Sequence, residues 1–145
     1  MTRAMTRVTR RYRFSASHRL HSERFSEGEN RELYGKCNNP HGHGHDYVLE
    51  VRVRGPLDPA SGQVVNVSTL DRLVAAEVLD DFDHKYMNAD VREFREVVPT
   101  SENILGVIEE RLAAHWQSVF PGDVPHLEAI RLRETRRNLF ELRAS

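Results

Sequence analysis

The sequence is short of cysteine and of long apolar runs, and each shortage excludes a class of protein. A single cysteine, Cys37, has no partner for an internal disulfide, so we expect a reduced, cytoplasmic protein. No apolar run approaches the roughly 20 residues that cross a membrane, so no membrane partner is expected. The 21 basic and 22 acidic side chains give a formal net charge of −1, which argues against nucleic acid as a partner.

The length and composition favour one globular domain. The chain has 145 residues, 39% of them hydrophobic and 30% charged. No repeat, low-complexity tract or linker divides it, so residues 1–145 are predicted to form a single domain. The first 20 residues contain six arginines and no acid, as some transit peptides do, but their apolar alternation favours a folded strand.

Apolar periodicity predicts the secondary structure. Helices are predicted from an N-cap at Ser68 and from about Thr100 to just before Pro121, and residues 22–40 are expected to form a long loop. Together with the strands, this order predicts an α+β fold, an antiparallel four-stranded sheet with two helices on one face. Its open edges favour closure against neighbouring subunits. The strands are predicted at 7–16, 46–54, a short run at 64–67, 127–133 and 139–142.

A cluster of histidines opens the second predicted strand. His43 and His45 are two residues apart, so both side chains point to one side of the strand and provide half of a zinc site. A catalytic zinc takes three protein ligands, and either His41 or His18 could supply the third. The spacing alone does not choose between them. The simpler alternative is a polar loop that binds metal adventitiously.

Three further features have side chains suited to catalysis. Cys37 precedes the histidines in a polar loop, where a nearby zinc would favour its thiolate, although most lone cysteines are inert. Asp83 and His84 lie at a predicted turn, where both can face one cleft and pass a proton, although such pairs are mostly surface residues. Glu134 directly follows a predicted strand and can accept two parallel N–H bonds, with a salt bridge to Arg133 or Arg136 as the ordinary alternative.

Several motifs occur together in an order that is typical of one family. The motifs are Phe14-Ser15-Ala16-Ser17-His18-Arg19-Leu20, Tyr34-Gly35-Lys36-Cys37-Asn38-Asn39-Pro40, Gly42-His43-Gly44-His45, Asp83-His84-Lys85, Thr100-Ser101-Glu102-Asn103 and Glu134-Thr135. With these motifs, from about Tyr12 to Leu142, the sequence resembles the 6-pyruvoyl-tetrahydropterin synthases.

The resemblance implies a fold, an assembly and a metal site. The expected fold is the T-fold, in which subunits form trimeric β-barrels that stack as a homohexamer, with active sites between subunits. His18, His43 and His45 are the implied zinc ligands, and His41 is not expected to be one.

The resemblance also implies a substrate and a reaction. The substrate is the small molecule 7,8-dihydroneopterin triphosphate, and the product is 6-pyruvoyl-tetrahydropterin, formed with loss of triphosphate and without an external redox cofactor. Cys37, Asp83 and His84 match the proton-transfer residues, the last two reaching the site from a neighbouring subunit.

The substrate-binding residues follow from the same resemblance. Glu134 matches the residue that holds the amino and ring N–H groups of the pterin. Thr100 and Ser101 match part of the pterin pocket, although a helix cap would explain them equally well. His41 and Asp46 stand where the family commonly has asparagine. Asp46 is expected to orient a ligand imidazole, and His41 either competes for metal or faces solvent.

Two alternatives remain. The related 6-carboxy-tetrahydropterin synthases of queuosine biosynthesis use the same substrate and residue types but release acetaldehyde. Their cysteine usually lies closer to the histidine pair, whereas Cys37 precedes His43 by six positions, which favours the pyruvoyl type. The remoter alternative is a zinc-stabilised binding module without turnover. It predicts a closed four-ligand site that is indifferent to loss of Cys37.

Overall fold

The chain folds as a five-stranded sheet with helices packed against it. The computed structural model describes residues 4–144, so Met1, Thr2 and Arg3, at the start of the arginine-rich stretch, and Ser145 lie outside the described residues. The strands are β1 (Thr6–His18), β2 (His43–Gly55), β3 (Lys85–Tyr86), β4 (His126–Arg133) and β5 (Leu139–Arg143). The helices are α1 (Glu27–Tyr34), α2 (Val67–Val74), α3 (Asp80–Phe82), α4 (Met87–Asp90) and α5 (Ser101–Val119), with 3₁₀ turns at Gly35–Asn38 and Arg92–Arg95 and a π turn at Ala75–Leu79.

The sheet is mixed rather than purely antiparallel. Its strand order is β3-β1-β2-β4-β5, and the four long strands pair antiparallel at the predicted places. The short strand β3 runs parallel to β1, with Ala16 opposite Lys85 and Ser17 opposite Tyr86. The prediction of a four-stranded antiparallel sheet is therefore corrected, because the sheet has a fifth strand that pairs parallel. Two residues are too few for a periodic pattern to reveal.

The hydrophobic core lies between one face of the sheet and the helices α2 and α5. Alternate residues of β1 and β2 point inward because successive strand side chains face opposite sides. Residues spaced three and four apart point toward them from the two helices. The fully or almost fully buried members include Phe14, Tyr47, Leu49, Val51, Leu70, Val74, Ile104, Ile108 and Leu112. No helix within residues 4–144 is long and apolar enough to cross a membrane.

The apolar run at 64–67 leads into α2 instead of forming a strand, so that prediction was wrong. Asn66 caps the helix, because its side-chain oxygen accepts a hydrogen bond from the Thr69 amide at 3.1 Å. The helix consequently begins at Val67, before the predicted cap at Ser68. The valines of this run pack in or against the core and do not pair with a strand.

The predicted loop at 22–40 contains the helix α1. Ser26 and Glu29 form a reciprocal capping box, with the Ser26 hydroxyl 3.1 Å from the Glu29 amide and the Glu29 carboxylate 2.9 Å from the Ser26 amide. Asn30 is the only buried residue of this helix, so it has no apolar stripe that would reveal it.

Arg111 on α5 holds the segment that precedes the Asp83–His84 turn. Its guanidinium donates hydrogen bonds to the Asp81 carboxylate at 2.7 Å, to Glu93 at 2.6 Å and to the Glu77 carbonyl at 2.9 Å. It also lies over the Phe82 ring, 5.2 Å from the centroid. The hydrogen bonds from Arg111 are the main cause that lowers the pKa of Glu93.

Replacing Arg111 with methionine is expected to lower the free energy of unfolding by about 3 kcal/mol at pH 7, because two carboxylates lose their shared partner. Since the pKa of folded Glu93 lies below its ordinary value, its contribution is complete above that value and is lost as the pH falls through the folded pKa. Urea unfolding at pH 7 and at about pH 3 checks this. The exposed Arg24→Met is the control, and an Arg111→Met deficit that persists undiminished in acid contradicts the prediction.

Candidate active site

Three imidazoles meet where β1 ends and β2 begins. The strand register places His18 directly opposite His43, and His45 follows on the same face of β2. The Nε2 atom of His45 lies 3.1 Å from Nε2 of His18 and 3.2 Å from Nδ1 of His43. His41 is exposed, and its amide donates to the side chain of Asn39. The structure thus brings together His18, His43 and His45.

The orientation of His18 is set by a backbone carbonyl. His18 is fully buried, and its Nδ1 lies 2.8 Å from the carbonyl oxygen of Pro99. A carbonyl only accepts, so Nδ1 carries the hydrogen and Nε2 directs its lone pair toward His45. Burial lowers the pKa of both His18 and His45, more than the Pro99 carbonyl and the Glu134 carboxylate raise it. Both imidazoles are therefore neutral at pH 7, which is the form that binds metal.

Cys37 and Glu134 complete the cluster. The Sγ atom of Cys37 lies 3.8 Å from His45 Nε2, and Oε1 of Glu134 lies 3.4 Å from the same nitrogen. The ligand atoms of His18, Cys37, His45 and Glu134 all lie within 4.8 Å of one another. Two sets of ligands are therefore within reach of one ion. One set is the three histidines, and the other is His18 and His45 together with Glu134 or Cys37.

The histidine spacing fits a metal ion. Two nitrogens bound to one tetrahedral zinc lie about 3.3 Å apart, given zinc–nitrogen bonds of roughly 2.0–2.1 Å. The observed separations of 3.1 and 3.2 Å are close to that value. The lone pair of His18 Nε2 is directed at a second neutral imidazole. A cation between the two rings could bind the nitrogen lone pairs of both. Nitrogen-rich sites of this kind suit zinc.

Protein groups alone favour the neutral thiol of Cys37. Burial is the main cause that raises its pKa, and the negative charge of Glu134 raises it further. A thiolate at this position therefore depends on a neighbouring cation.

Glu134 is held by the first residue of α5. The hydroxyl of Ser101 donates a short hydrogen bond to Oε2 of Glu134, which leaves Oε1 facing His45. Thr100 instead caps α5, accepting from the Asn103 amide at 3.2 Å. Of the two predicted pocket residues, Ser101 thus contacts another predicted substrate residue, whereas the described contact of Thr100 is the cap.

Asp83 and His84 form a pair outside the cluster. Oδ2 of Asp83 lies 3.1 Å from Nδ1 of His84, and the backbone of Ser15 binds both residues, donating to Asp83 at 2.8 Å and accepting from the His84 amide at 2.6 Å. The His84 side chain is 82% exposed, and its φ of 60° is rare for a residue other than glycine. Within residues 4–144 no hydrogen bond or ion pair joins this pair to Cys37. Strained backbone of this kind is frequent at functional sites.

Sequence reasoning missed the groups that orient the site. The Pro99 carbonyl has no sequence signal, since it acts across 81 positions of chain. The Tyr47 hydroxyl lies 3.4 Å from His18 Nδ1, and its strand parity with His45 could have revealed it. Asp46 points to the other face of β2, where it accepts from the Ser15 hydroxyl at 2.5 Å. The expectation that Asp46 orients a ligand imidazole is therefore wrong. The Pro99 carbonyl orients the His18 imidazole instead.

Comparison with known proteins gives consistent similarities. A family model described as 6-pyruvoyl tetrahydropterin synthase matches residues 7–145. A 6-pyruvoyl tetrahydrobiopterin synthase of Poecilia reticulata is 44% identical over 132 residues, covering 91% of this chain and 86% of its own. The human protein of that name is 42% identical over 137 residues, covering 94% and 90%. The solved structure of the Caenorhabditis elegans 6-pyruvoyl tetrahydropterin synthase superposes with a TM-score of 0.87 at 40% identity, covering 100% of both chains.

Proposed function

Because the chain belongs to the 6-pyruvoyl tetrahydropterin synthase family, we propose that it is a lyase that converts 7,8-dihydroneopterin triphosphate to 6-pyruvoyl-tetrahydropterin with loss of triphosphate. The observation that supports this most directly is the convergence of three imidazoles with Cys37 and Glu134 at one end of the sheet. The relatives that cover about nine-tenths of the chain are named for the pyruvoyl product, which favours it over the carboxy alternative.

His18, His43 and His45 are the proposed ligands of a zinc ion. When bound, zinc would polarise the side-chain hydroxyls of the substrate and make the adjacent C–H bonds acidic. The Pro99 carbonyl fixes the tautomer of His18, so that Nε2 is available as a ligand atom. This assignment leaves Cys37 and Glu134 free for the substrate.

Cys37 is the proposed proton carrier. Its sulfur lies beside the histidines, so it can remove a proton from a side-chain carbon and return it elsewhere on the substrate. One hydroxyl-bearing carbon is oxidised as the pterin ring is reduced, and the other becomes a ketone as triphosphate leaves. The electrons balance within the substrate, and no external redox cofactor is required.

Asp83 and His84 are proposed to exchange protons with Cys37 from a neighbouring subunit. The exposure of His84 and its separation from the cluster within one chain support this role. The outer strands β3 and β5 leave sheet edges that neighbouring copies can pair with. The proposed assembly is a homohexamer of two stacked trimeric barrels.

Glu134 is the proposed anchor of the pterin ring. A carboxylate can accept two parallel N–H bonds, from the exocyclic amino group and the neighbouring ring nitrogen. Ser101 holds Oε2 of Glu134 in place, and Thr100 positions Ser101 by capping the same helix end. To bind the pterin edge with both oxygens, Glu134 must turn Oε1 away from His45.

Mass spectrometry of the products formed from 7,8-dihydroneopterin triphosphate, with and without a chelator, tests this function. The expected product keeps all three side-chain carbons, and its formation stops when the chelator removes the metal. A one-carbon carboxyl product with acetaldehyde would assign the chain to the carboxy branch. Absence of any product from metal-loaded protein would favour the binding module.

A further inference from the structure

A cationic cavity adjoins the proposed active site. It has a volume of about 470 Å³ and is bordered by His43, which places it directly beside the imidazole cluster. The 3₁₀ turn Gly35–Asn38 and the residues that follow β1 form much of its wall. Its ionisable lining consists of Arg19, His21, Glu27, Arg31, Lys36 and His43.

The cavity has an excess of positive charge. Three permanent cations, Arg19, Arg31 and Lys36, face one carboxylate, Glu27, which leaves a formal charge of +2 (3 − 1). Arg31 and Glu27 are 4.0 Å apart on highly exposed side chains, so their mutual attraction is weak. Within residues 4–144 the Lys36 ammonium has no hydrogen bond or ion pair. Lys36 is one of only two lysines in the chain and directly precedes Cys37. Its charge is therefore available to a ligand in the cavity.

Arg19 retains donors for a ligand. Its Nε donates to the Asn38 carbonyl at 3.2 Å, which holds the side chain along the cavity wall. A guanidinium has five N–H donors in a fixed fork, and the remaining ones match the oxygens of a phosphate.

We propose that this cavity binds the triphosphate group of the substrate through Arg19, Arg31 and Lys36, an inference that rests on the proposed function. The order of groups along the site supports it. Glu134 lies 3.4 Å from His45, His45 lies 3.2 Å from His43, and His43 borders the cavity. The substrate has the same order, with a pterin ring, a hydroxylated carbon chain and a terminal triphosphate.

Another arginine-lined cavity lies at the far end of the sheet and is unsuited to this role. There Glu128 is shared by Arg7 at 2.7 Å, Arg52 at 3.0 Å and Arg54 at 3.4 Å, so three of the four arginines already have a carboxylate. Arg52 is seven residues from His45 along β2, or about 23 Å at the usual strand rise. A phosphate three carbons from the pterin cannot span that distance. This cavity supplies a matched control, because a cation can be removed there without touching the site.

Calorimetric titration of inorganic triphosphate into metal-loaded protein tests the proposal. Lys36→Gln, Arg31→Gln and Arg19→Gln are each expected to weaken triphosphate binding about tenfold or more, and to raise KM for the substrate by a similar factor. Arg143→Gln, in the far cavity, removes the same charge and is expected to leave both values within about twofold. Lys36→Arg and Arg31→Lys keep the charge and should restore most of the binding, which separates loss of the cation from misfolding.

Two further outcomes distinguish the subsite from the reaction. Dihydroneopterin without phosphate should bind the glutamine variants and the unmodified protein equally, because it has no group for the cavity. Variants that turn over substrate with unchanged KM and bind inorganic triphosphate normally would overturn the subsite and leave the function intact. Variant-sensitive triphosphate binding by a protein that forms no pterin product would refute the proposed function and retain the anion site.

Discussion

Replacing His43 with alanine is expected to reduce bound zinc from about one ion per chain to near zero and to abolish turnover. His43 Nδ1 lies 3.2 Å from His45 Nε2, so its loss leaves a histidine pair without the third nitrogen. Three protein ligands are the usual minimum for a catalytic zinc. Elemental analysis of the purified protein, normalised to chain concentration, gives the stoichiometry, and product formation gives the activity.

His41→Ala is the matched control. It removes the same side chain two positions earlier, from an exposed site whose described hydrogen bond is made by the backbone. Zinc content and turnover are expected to remain close to those of the unmodified protein. Stoichiometric zinc in His43→Ala, or zinc lost on replacing His41 alone, would contradict the proposed ligand set.

Glu134→Gln separates the two donor sets that the geometry allows. If Glu134 anchors the pterin, the amide variant keeps its zinc and loses substrate affinity, because an NH₂ group replaces one of the two acceptor oxygens. If Glu134 is a ligand together with His18 and His45, zinc is lost from this variant instead. Measuring zinc and KM on one preparation distinguishes these results.

The local part of the site could be predicted from the sequence. His43 and His45 share a strand face because the strand period is two, and Thr100 caps α5 at the predicted position. The family expected from the motifs is confirmed by the matching family model and relatives. The choice of His18 over His41 came from the resemblance, since spacing on one strand does not specify which distant residue lies opposite.

The groups that orient these side chains could not be predicted, because they come from distant parts of the chain. Ser101 and Glu134 are 33 positions apart, and Pro99 reaches His18 across 81. These contacts depend on how α5 packs against the sheet rather than on a local pattern. The turn at His84 was expected from its residues, but its left-handed backbone is held by Ser15 of another strand.

A mixture of Cys37→Ala and His84→Ala subunits is expected to recover activity that neither variant has alone. Each variant should lose about 10²–10⁴-fold in turnover, the usual contribution of a proton-transfer group. If His84 acts on the Cys37 of a neighbouring copy, about a quarter of the sites in an equal, random mixture contain both intact residues. Co-refolding the variants, or co-expressing them with different tags, and assaying the mixed oligomer measures this recovery.

A control mixture shows whether the recovered activity requires an active site that is shared between subunits. Cys37→Ala mixed with a Cys37→Ala/His84→Ala double variant contains no intact Cys37 and should stay inactive at the same assembly state. Light scattering establishes that the mixed species are oligomers of the size of the unmodified protein. Mixed oligomers without any recovered turnover would mean that His84 acts within its own chain. That result would require a movement of the exposed 83–84 turn toward Cys37, since within residues 4–144 its hydrogen bonds to other residues are to Ser15 and the Leu79 carbonyl.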